Sequence, residues 1–67
     1  MDDYLVRLYS EHYQLHQKID KLRTFVVSNK YDSLPDIDKS DLKEQLGYME
    51  SYFSVLSRRV SRHCSNA

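Results

Sequence analysis

The chain of 67 residues contains one cysteine, one glycine, one proline and no tryptophan. The lone cysteine, Cys64, excludes the intramolecular disulfides that often supplement the thin core of so short a chain. The lone glycine, Gly47, excludes a glycine-rich loop of the kind that cradles phosphates. Lys plus Arg and Asp plus Glu number ten each, so the chain lacks the basic surplus typical of duplex DNA binders. No apolar run approaches the roughly 20 residues that span a bilayer. We therefore expect neither DNA nor a membrane as a partner.

Groups that could carry out catalysis or hold a metal are also scarce. His12 and His16 share a helix face, but no cysteine or carboxylate completes a metal site at ligand spacing. Cys64 next to His63 has no neighbour that would fix the geometry of an activated thiol. No nucleophile stands beside a recognisable base. We expect no enzymatic activity, no metal and no cofactor.

The chain does contain two series of residues spaced by three and four, the pattern of one helix stripe and, when sustained, of a coiled-coil seam. A single connection with an asparagine, Asp-Ser and Pro35 separates the series. This pattern predicts an all-α, antiparallel two-helix hairpin forming one domain over residues 1–67, with helix one at about 2–28, a loop at about 29–36 and helix two at about 37–63. The first series is Leu5, Leu8, His12, Leu15, Ile19, Leu22 and Val26, and the second is Leu42, Leu46, Met49, Phe53, Leu56, Val60 and His63.

Apolar and aromatic residues outside these two series predict self-association. A hairpin with one seam buries only its inner stripe, so a surplus of such residues elsewhere favours further contacts. We expect the hairpin to assemble into a homo-oligomeric helical bundle. The surplus residues are Tyr4, Tyr9, Tyr13, Phe25, Tyr48, Tyr52 and Val55.

The spacing of two polar residues predicts possible side-chain partners for them. His12 interrupts the first apolar series, and a polar residue in a seam often fixes register, with Gln45 as a possible partner here. Asp20 is spaced to pair with Arg23 or His16 along helix one.

A further stripe of helix two combines aromatic and cationic residues. Tyrosines can stack on bases, and guanidinium groups bind phosphate in bidentate fashion. The same residue types are enriched at protein–protein interfaces, so a ligand site and a protein interface both remain open. On helix one, Tyr4 and Lys18 lie two heptads apart and point the same way, which fits either a site or a solvated face. The stripe consists of Tyr48, Tyr52, Val55, Arg59 and Arg62.

Three stretches between about residues 4 and 60 form one further pattern. They are Arg7-x-x-x-Glu11-x-x-x-Leu15-x-x-x-Ile19-x-Lys21-Leu22-x-x-Phe25, Tyr31-Asp32-Ser33-Leu34 and Leu42-x-x-Gln45-Leu46-x-x-Met49-x-x-Tyr52-x-x-x-Leu56-x-x-Arg59-Val60. Taken together, these stretches resemble a group of small bacteriophage hairpin proteins related to the anti-CBASS and anti-Thoeris nucleotide sponges.

The resemblance implies a homo-oligomer, often a hexamer, that traps cyclic oligonucleotides between protomers without cleaving them. The ligand would be a cyclic dinucleotide such as cyclic GMP-AMP, or a cyclic trinucleotide, and the setting the cytoplasm of an infected bacterial host cell. An adaptor hairpin that binds a host or phage protein is the alternative. The Gly-Tyr-Arg opening of characterised sponges is not present here. The ligand-binding residues implied are Tyr4 with Lys18, Tyr9 and Lys21 as alternatives, Arg7 as the nearest arginine, and Arg59 or Arg62 for a trinucleotide.

Overall fold

The part of the chain that the structure describes folds into two long helices and one short one. A computed structural model describes residues 3–65, and side chains over 3–63. The helices are α1 (Asp3–Val26), α2 (Asn29–Asp32) and α3 (Asp36–Ser65), and this part of the chain contains no strand. The predicted all-α class is confirmed. The predicted start of helix one at residue 2 and the thiol of Cys64 lie outside what is described.

Helices α1 and α3 lie side by side and run in opposite directions. Tyr4, near the start of α1, contacts Arg59 and His63 near the end of α3. Farther along, Arg23 of α1 is bound to Glu50 of α3. The resulting body is a rod with extents of 48 × 16 × 15 Å. Because the rod is only two helices wide, each helix turns one side to its neighbour and leaves the others exposed.

The core is the seam between the two long helices. Leu8, Leu15, Ile19 and Leu56 are buried and form one cluster, with Leu56 fully shielded from solvent. The three-four spacing places these side chains along one stripe of each helix, so they meet across the seam. Every position of the two series identified in the sequence is buried or half-buried. The half-buried residues packed against the cluster are Leu5, Leu46, Met49, Phe53 and Val60.

His12 lies within this seam and is paired across it. Its Nε2 atom lies 3.1 Å from Ser57 Oγ, and its ring stacks on Phe53 with centroids 4.6 Å apart. The hypothesis that Gln45 would be the partner is wrong, because the antiparallel register places Ser57 opposite His12. Gln45 instead donates toward Met49 Sδ at 3.9 Å. The polar ring of His12 therefore has a hydrogen-bond partner within the seam.

The segment predicted as a loop over 29–36 contains the single helical turn α2. Ser28 is its N-cap, with Oγ accepting a hydrogen bond from the Tyr31 amide at 3.3 Å. Ser33 ends it, donating its amide to the Lys30 carbonyl. Serine at both ends supplies the partners that a short helix otherwise lacks.

Tyr31 anchors this connection to both long helices. The side chain is only 5% exposed, and its hydroxyl donates to the Lys39 carbonyl of α3 at 3.1 Å. Its ring meets Phe25 of α1 edge-on, with centroids 6.2 Å apart. The ammonium groups of Lys39 and Lys43 lie 5.9 and 6.0 Å from the ring centroid. The buried Tyr31 side chain therefore fixes the connection to both α1 and α3.

Truncation of the buried Leu56 should destabilise the protein far more than truncation of an exposed residue. We expect Leu56→Ala to lower the free energy of unfolding by about 2–5 kcal/mol, because it removes apolar contacts and leaves a cavity. Ile37→Ala is the matched control, since Ile37 is 72% exposed on the same helix. Urea denaturation at one fixed protein concentration measures both. Equal losses in the two variants would contradict the packing described.

Removal of the Tyr31 hydroxyl tests the contact between the connection and α3. Tyr31→Phe keeps the buried ring but removes the hydrogen bond from its hydroxyl to the Lys39 carbonyl. We expect a loss of about 0.5–1.5 kcal/mol in the free energy of unfolding. Tyr13→Phe, at an exposed tyrosine, is the control and should change stability by much less. The Tyr13 hydroxyl accepts an exposed bond from Gln17 at 3.0 Å, so equal changes in the two variants would show that the Tyr31 bond stabilises no more than an exposed one.

Candidate ligand-binding face

One side of the rod, here called the front face, begins at a contact between Tyr4 and Arg59. Arg59 Nη2 donates to the Tyr4 hydroxyl at 2.7 Å, and the guanidinium carbon lies 5.6 Å from the ring centroid. His63 meets the same ring edge-on at 5.7 Å. Two aromatic rings and a planar cation, drawn from opposite ends of the chain, are thus assembled at one end of the rod.

Heptad spacing extends the front face along both helices. Residues seven apart lie on nearly the same side of an α-helix. Tyr4 is followed at this spacing by Glu11, Lys18 and Phe25 on α1. Arg59 is preceded by Tyr52 and Gln45 on α3. We define the front face by these residues and those that line the grooves between and beside them.

A groove lies across the two helices at the middle of the front face. Its volume is about 360 Å³. The apolar residues that line it are half-buried, whereas the two lysines are exposed. The arrangement combines an apolar surface with two ammonium groups, which suits a ligand that carries both flat apolar rings and negative charge. The lining residues are Lys18, Lys21, Leu22, Phe25, Gln45 and Met49.

A second groove, of about 540 Å³, lies on α3 alone. It shares Gln45 and Met49 with the first groove, so the two are continuous. Its aromatic lining residues are Tyr48 and Tyr52, and Tyr48 is 69% exposed. Tyr48 donates its hydroxyl to Glu44 at 3.1 Å. The lining residues are Asp41, Glu44, Gln45, Tyr48, Met49 and Tyr52.

Most of the residues implied by the resemblance lie on or beside the front face. Tyr4 and Arg59 are in contact, whereas Lys18 and Lys21 line the groove. Fourteen residues separate Tyr4 from Lys18, which is about 21 Å along a helix. One protomer therefore presents them as two separate sets of groups. Arg7 and Arg62 are exposed one turn from Tyr4 and Arg59 respectively.

Tyr9 lies on the opposite side, here called the back face. It is followed at heptad spacing by His16 and Arg23. Arg23 Nε donates to Glu50 at 2.9 Å across the helices, so Asp20 does not hold this arginine. Asp20 lies 3.6 Å from His16 Nδ1 instead, as the second of its two predicted pairings requires. Tyr9 and Tyr4 are thus separated by the width of the seam.

Reasoning from the sequence did not identify several groove residues as possible ligand contacts. Leu22, Met49 and Gln45 were assigned to the seam or its edge, and Phe25 to surplus apolar surface. Phe25 and Gln45 are one heptad from Lys18 and Tyr52, whereas Leu22 and Met49 are four and three residues from them. This helical spacing is the signal that could have placed them on the front face. Within the described side chains, no group of three His, Cys, Asp or Glu residues is close enough to hold a metal ion. None of the helices within residues 3–65 has the length and hydrophobicity of a membrane span.

The fold and the front face define a small all-helical protein with aromatic and cationic groups on one exposed side. Comparison with known families is consistent with a binding protein: the Sequestin family model matches residues 2–62. The chain therefore belongs to the Sequestin family, whose name suggests a sequestering function. No curated protein and no solved structure matches it.

Loss of the Arg59 guanidinium should change the surroundings of the Tyr4 ring. In Arg59→Ala the ring loses a cation 5.6 Å from its centroid and a donor to its hydroxyl. We expect the Tyr4 ring-proton resonances to move in NMR spectra, while the helix content stays unchanged. Arg58→Ala removes an adjacent exposed arginine and should leave those resonances in place. Equal shifts in both variants would contradict the contact.

Proposed function

We propose that this protein is a bacteriophage immune-evasion protein that binds and sequesters cyclic oligonucleotide second messengers of bacterial anti-phage defence. The observation that carries the proposal is the Arg59–Tyr4 pair on the same face as the lysine-lined groove. Membership of the Sequestin family supports the sequestering role. Sequestration needs no chemical step, and the ligand would be released intact.

The front face offers the interactions that such a ligand requires. Tyrosine rings stack on bases of any sequence, and stacking contributes about 1–3 kcal/mol per base. The guanidinium of Arg59 and the ammonium groups of Lys18 and Lys21 suit the ring phosphates. Zero net charge is compatible with this, because anion binding depends on the local convergence of cations rather than on their overall surplus.

The ligand site would be completed by self-association. Tyr4 and Lys18 lie about 21 Å apart along one helix, so groups from different protomers must converge if both contact one cyclic dinucleotide. We propose that the chain is a hairpin that assembles into a homo-oligomer, a hexamer, in the cytoplasm of the infected cell. The arginines near the end of α3, Arg59 and Arg62, are the candidates for a cyclic trinucleotide.

A protein-interaction adaptor is the second candidate. It is favoured by the exposure of Tyr48 and Tyr52, 69% and 45%, beside a groove on α3. Exposed tyrosines are common anchors at protein interfaces. In this case the same face would bind a host or phage protein and no nucleotide.

Thermal unfolding against a panel of cyclic nucleotides separates the two candidates. A ligand present at about 100 times its dissociation constant adds roughly 2.7 kcal/mol, which raises the melting temperature by several degrees in a domain this small. We expect such a shift with a cyclic dinucleotide or trinucleotide. The matching linear dinucleotide or trinucleotide is the control and should produce a smaller shift. A flat panel from an assembled oligomer would favour the adaptor.

Substitutions then test the residues. Tyr4→Ala and Lys18→Ala should each abolish the shift with a cyclic dinucleotide while leaving the mass of the assembly unchanged. Tyr13→Ala and Lys30→Ala remove the same residue types from exposed positions elsewhere and should keep the shift. A full shift in Lys18→Ala would remove that lysine from the site.

A further inference from the structure

An exposed stripe on α3 has an unusual order of residues. At its middle are Tyr48, Tyr52 and Val55, which are 69%, 45% and 40% exposed. Such a run of exposed apolar surface on one side of a helix usually marks a contact site. Two acidic residues precede this middle, and two arginines follow it. We call the whole set the tyrosine stripe, and its members are Asp41, Glu44, Tyr48, Tyr52, Val55, Arg59 and Arg62.

The tyrosine stripe is complementary to itself when turned end for end. Asp41 precedes Glu44 by three residues, and Arg59 precedes Arg62 by three. Because these two spacings are equal, an antiparallel copy places Asp41 opposite Arg62 and Glu44 opposite Arg59 in a single register.

The same register also matches the apolar middle. Tyr48 follows Glu44 by four residues, and Val55 precedes Arg59 by four, so Tyr48 lies opposite Val55. The symmetry axis then passes between Ser51 and Tyr52, so the Tyr52 side chains of the two copies approach each other near the axis. Charge and apolar surface are therefore both matched in this register.

We propose that two copies of this protein pair through their tyrosine stripes, with the α3 helices antiparallel about a two-fold axis. Each unlike-charge pair then forms twice. The stripe from Asp41 to Arg62 extends about 32 Å at 1.5 Å per residue, which gives a contact along most of the helix. Self-complementarity is the property that a two-fold, isologous interface requires, and it therefore favours a second copy of this chain over another protein.

The pairing is compatible with the contacts within one protomer. A guanidinium carries five N–H donors. Arg59 uses one of its donors on the Tyr4 hydroxyl, which leaves donors for Glu44 of the second copy. The second copy would also cover the groove beside Tyr48 and Tyr52, giving it a second wall. This inference deepens the assembly on which the proposed function rests, but it requires no nucleotide.

Charge reversal at the two ends of the stripe tests the pairing. The acid-to-base variant carries Asp41→Arg with Glu44→Arg. The base-to-acid variant carries Arg59→Glu with Arg62→Asp. In each variant, the charges that face each other across the interface become alike. We expect each variant to self-associate at least about tenfold more weakly than the wild type, because attractive pairs become repulsive ones. Sedimentation equilibrium without nucleotide measures the change in mass, and circular dichroism verifies that the helices are retained.

Mixing the two variants provides the decisive test of the pairing. An equimolar mixture of the two variants should restore association, because the unlike charges then face each other. A chain carrying all four substitutions should likewise pair with itself. Lys30→Glu with Lys43→Glu changes the net charge as the base-to-acid variant does, but outside the stripe, and should keep the wild-type mass.

A wild-type chain that is monomeric, helical variants with unchanged mass, or a mixture that fails to associate would each overturn the pairing. The nucleotide panel is a separate experiment, so failure of this interface is distinguishable from failure of the proposed ligand. A wild type that pairs as described but binds no nucleotide would retain the interface and reject the sponge.

Discussion

The rest of the structure depends on the narrow seam between α1 and α3. Leu56 lies at its centre, and the buried Leu8, Leu15 and Ile19 face it from α1. Only one stripe of each long helix is used in this contact. The remaining sides carry tyrosines and charged groups outside the buried cluster, and we propose that ligand binding and assembly use these sides. A chain of this size thus combines a minimal core with a large exposed surface.

The helices and the seam could be predicted from the sequence because a three-four spacing of apolar residues has one physical solution, a buried helix stripe. The partners across the seam could not be predicted, because they depend on the axial register. His12 meets Ser57 rather than Gln45, a choice that local spacing does not encode. The burial of Tyr31 also escaped prediction, since a connection with turn-forming residues gives no sign that one of its side chains packs inward.

The candidate site was predictable in part for the same reason. Tyr4 and Lys18 share a face by heptad spacing alone, whereas the contact of Tyr4 with Arg59 joins opposite ends of the chain and needed the folded arrangement. The groove that joins Lys18 to Gln45 and Met49 arises from the packing of α1 against α3. How far the sequence specifies a ligand site therefore depends on how local that site is, and a site shared between protomers is the least local of all.

The most direct measurement of the central claim is the fate of a bound cyclic nucleotide. The protein would be incubated with a limiting amount of cyclic dinucleotide or trinucleotide, separated from unbound ligand by gel filtration, and then unfolded in denaturant. Chromatography and mass spectrometry would quantify what is released. A sequestering protein retains the nucleotide and releases it as the intact cyclic compound. Recovery of no nucleotide, or of a linear product, would contradict the account.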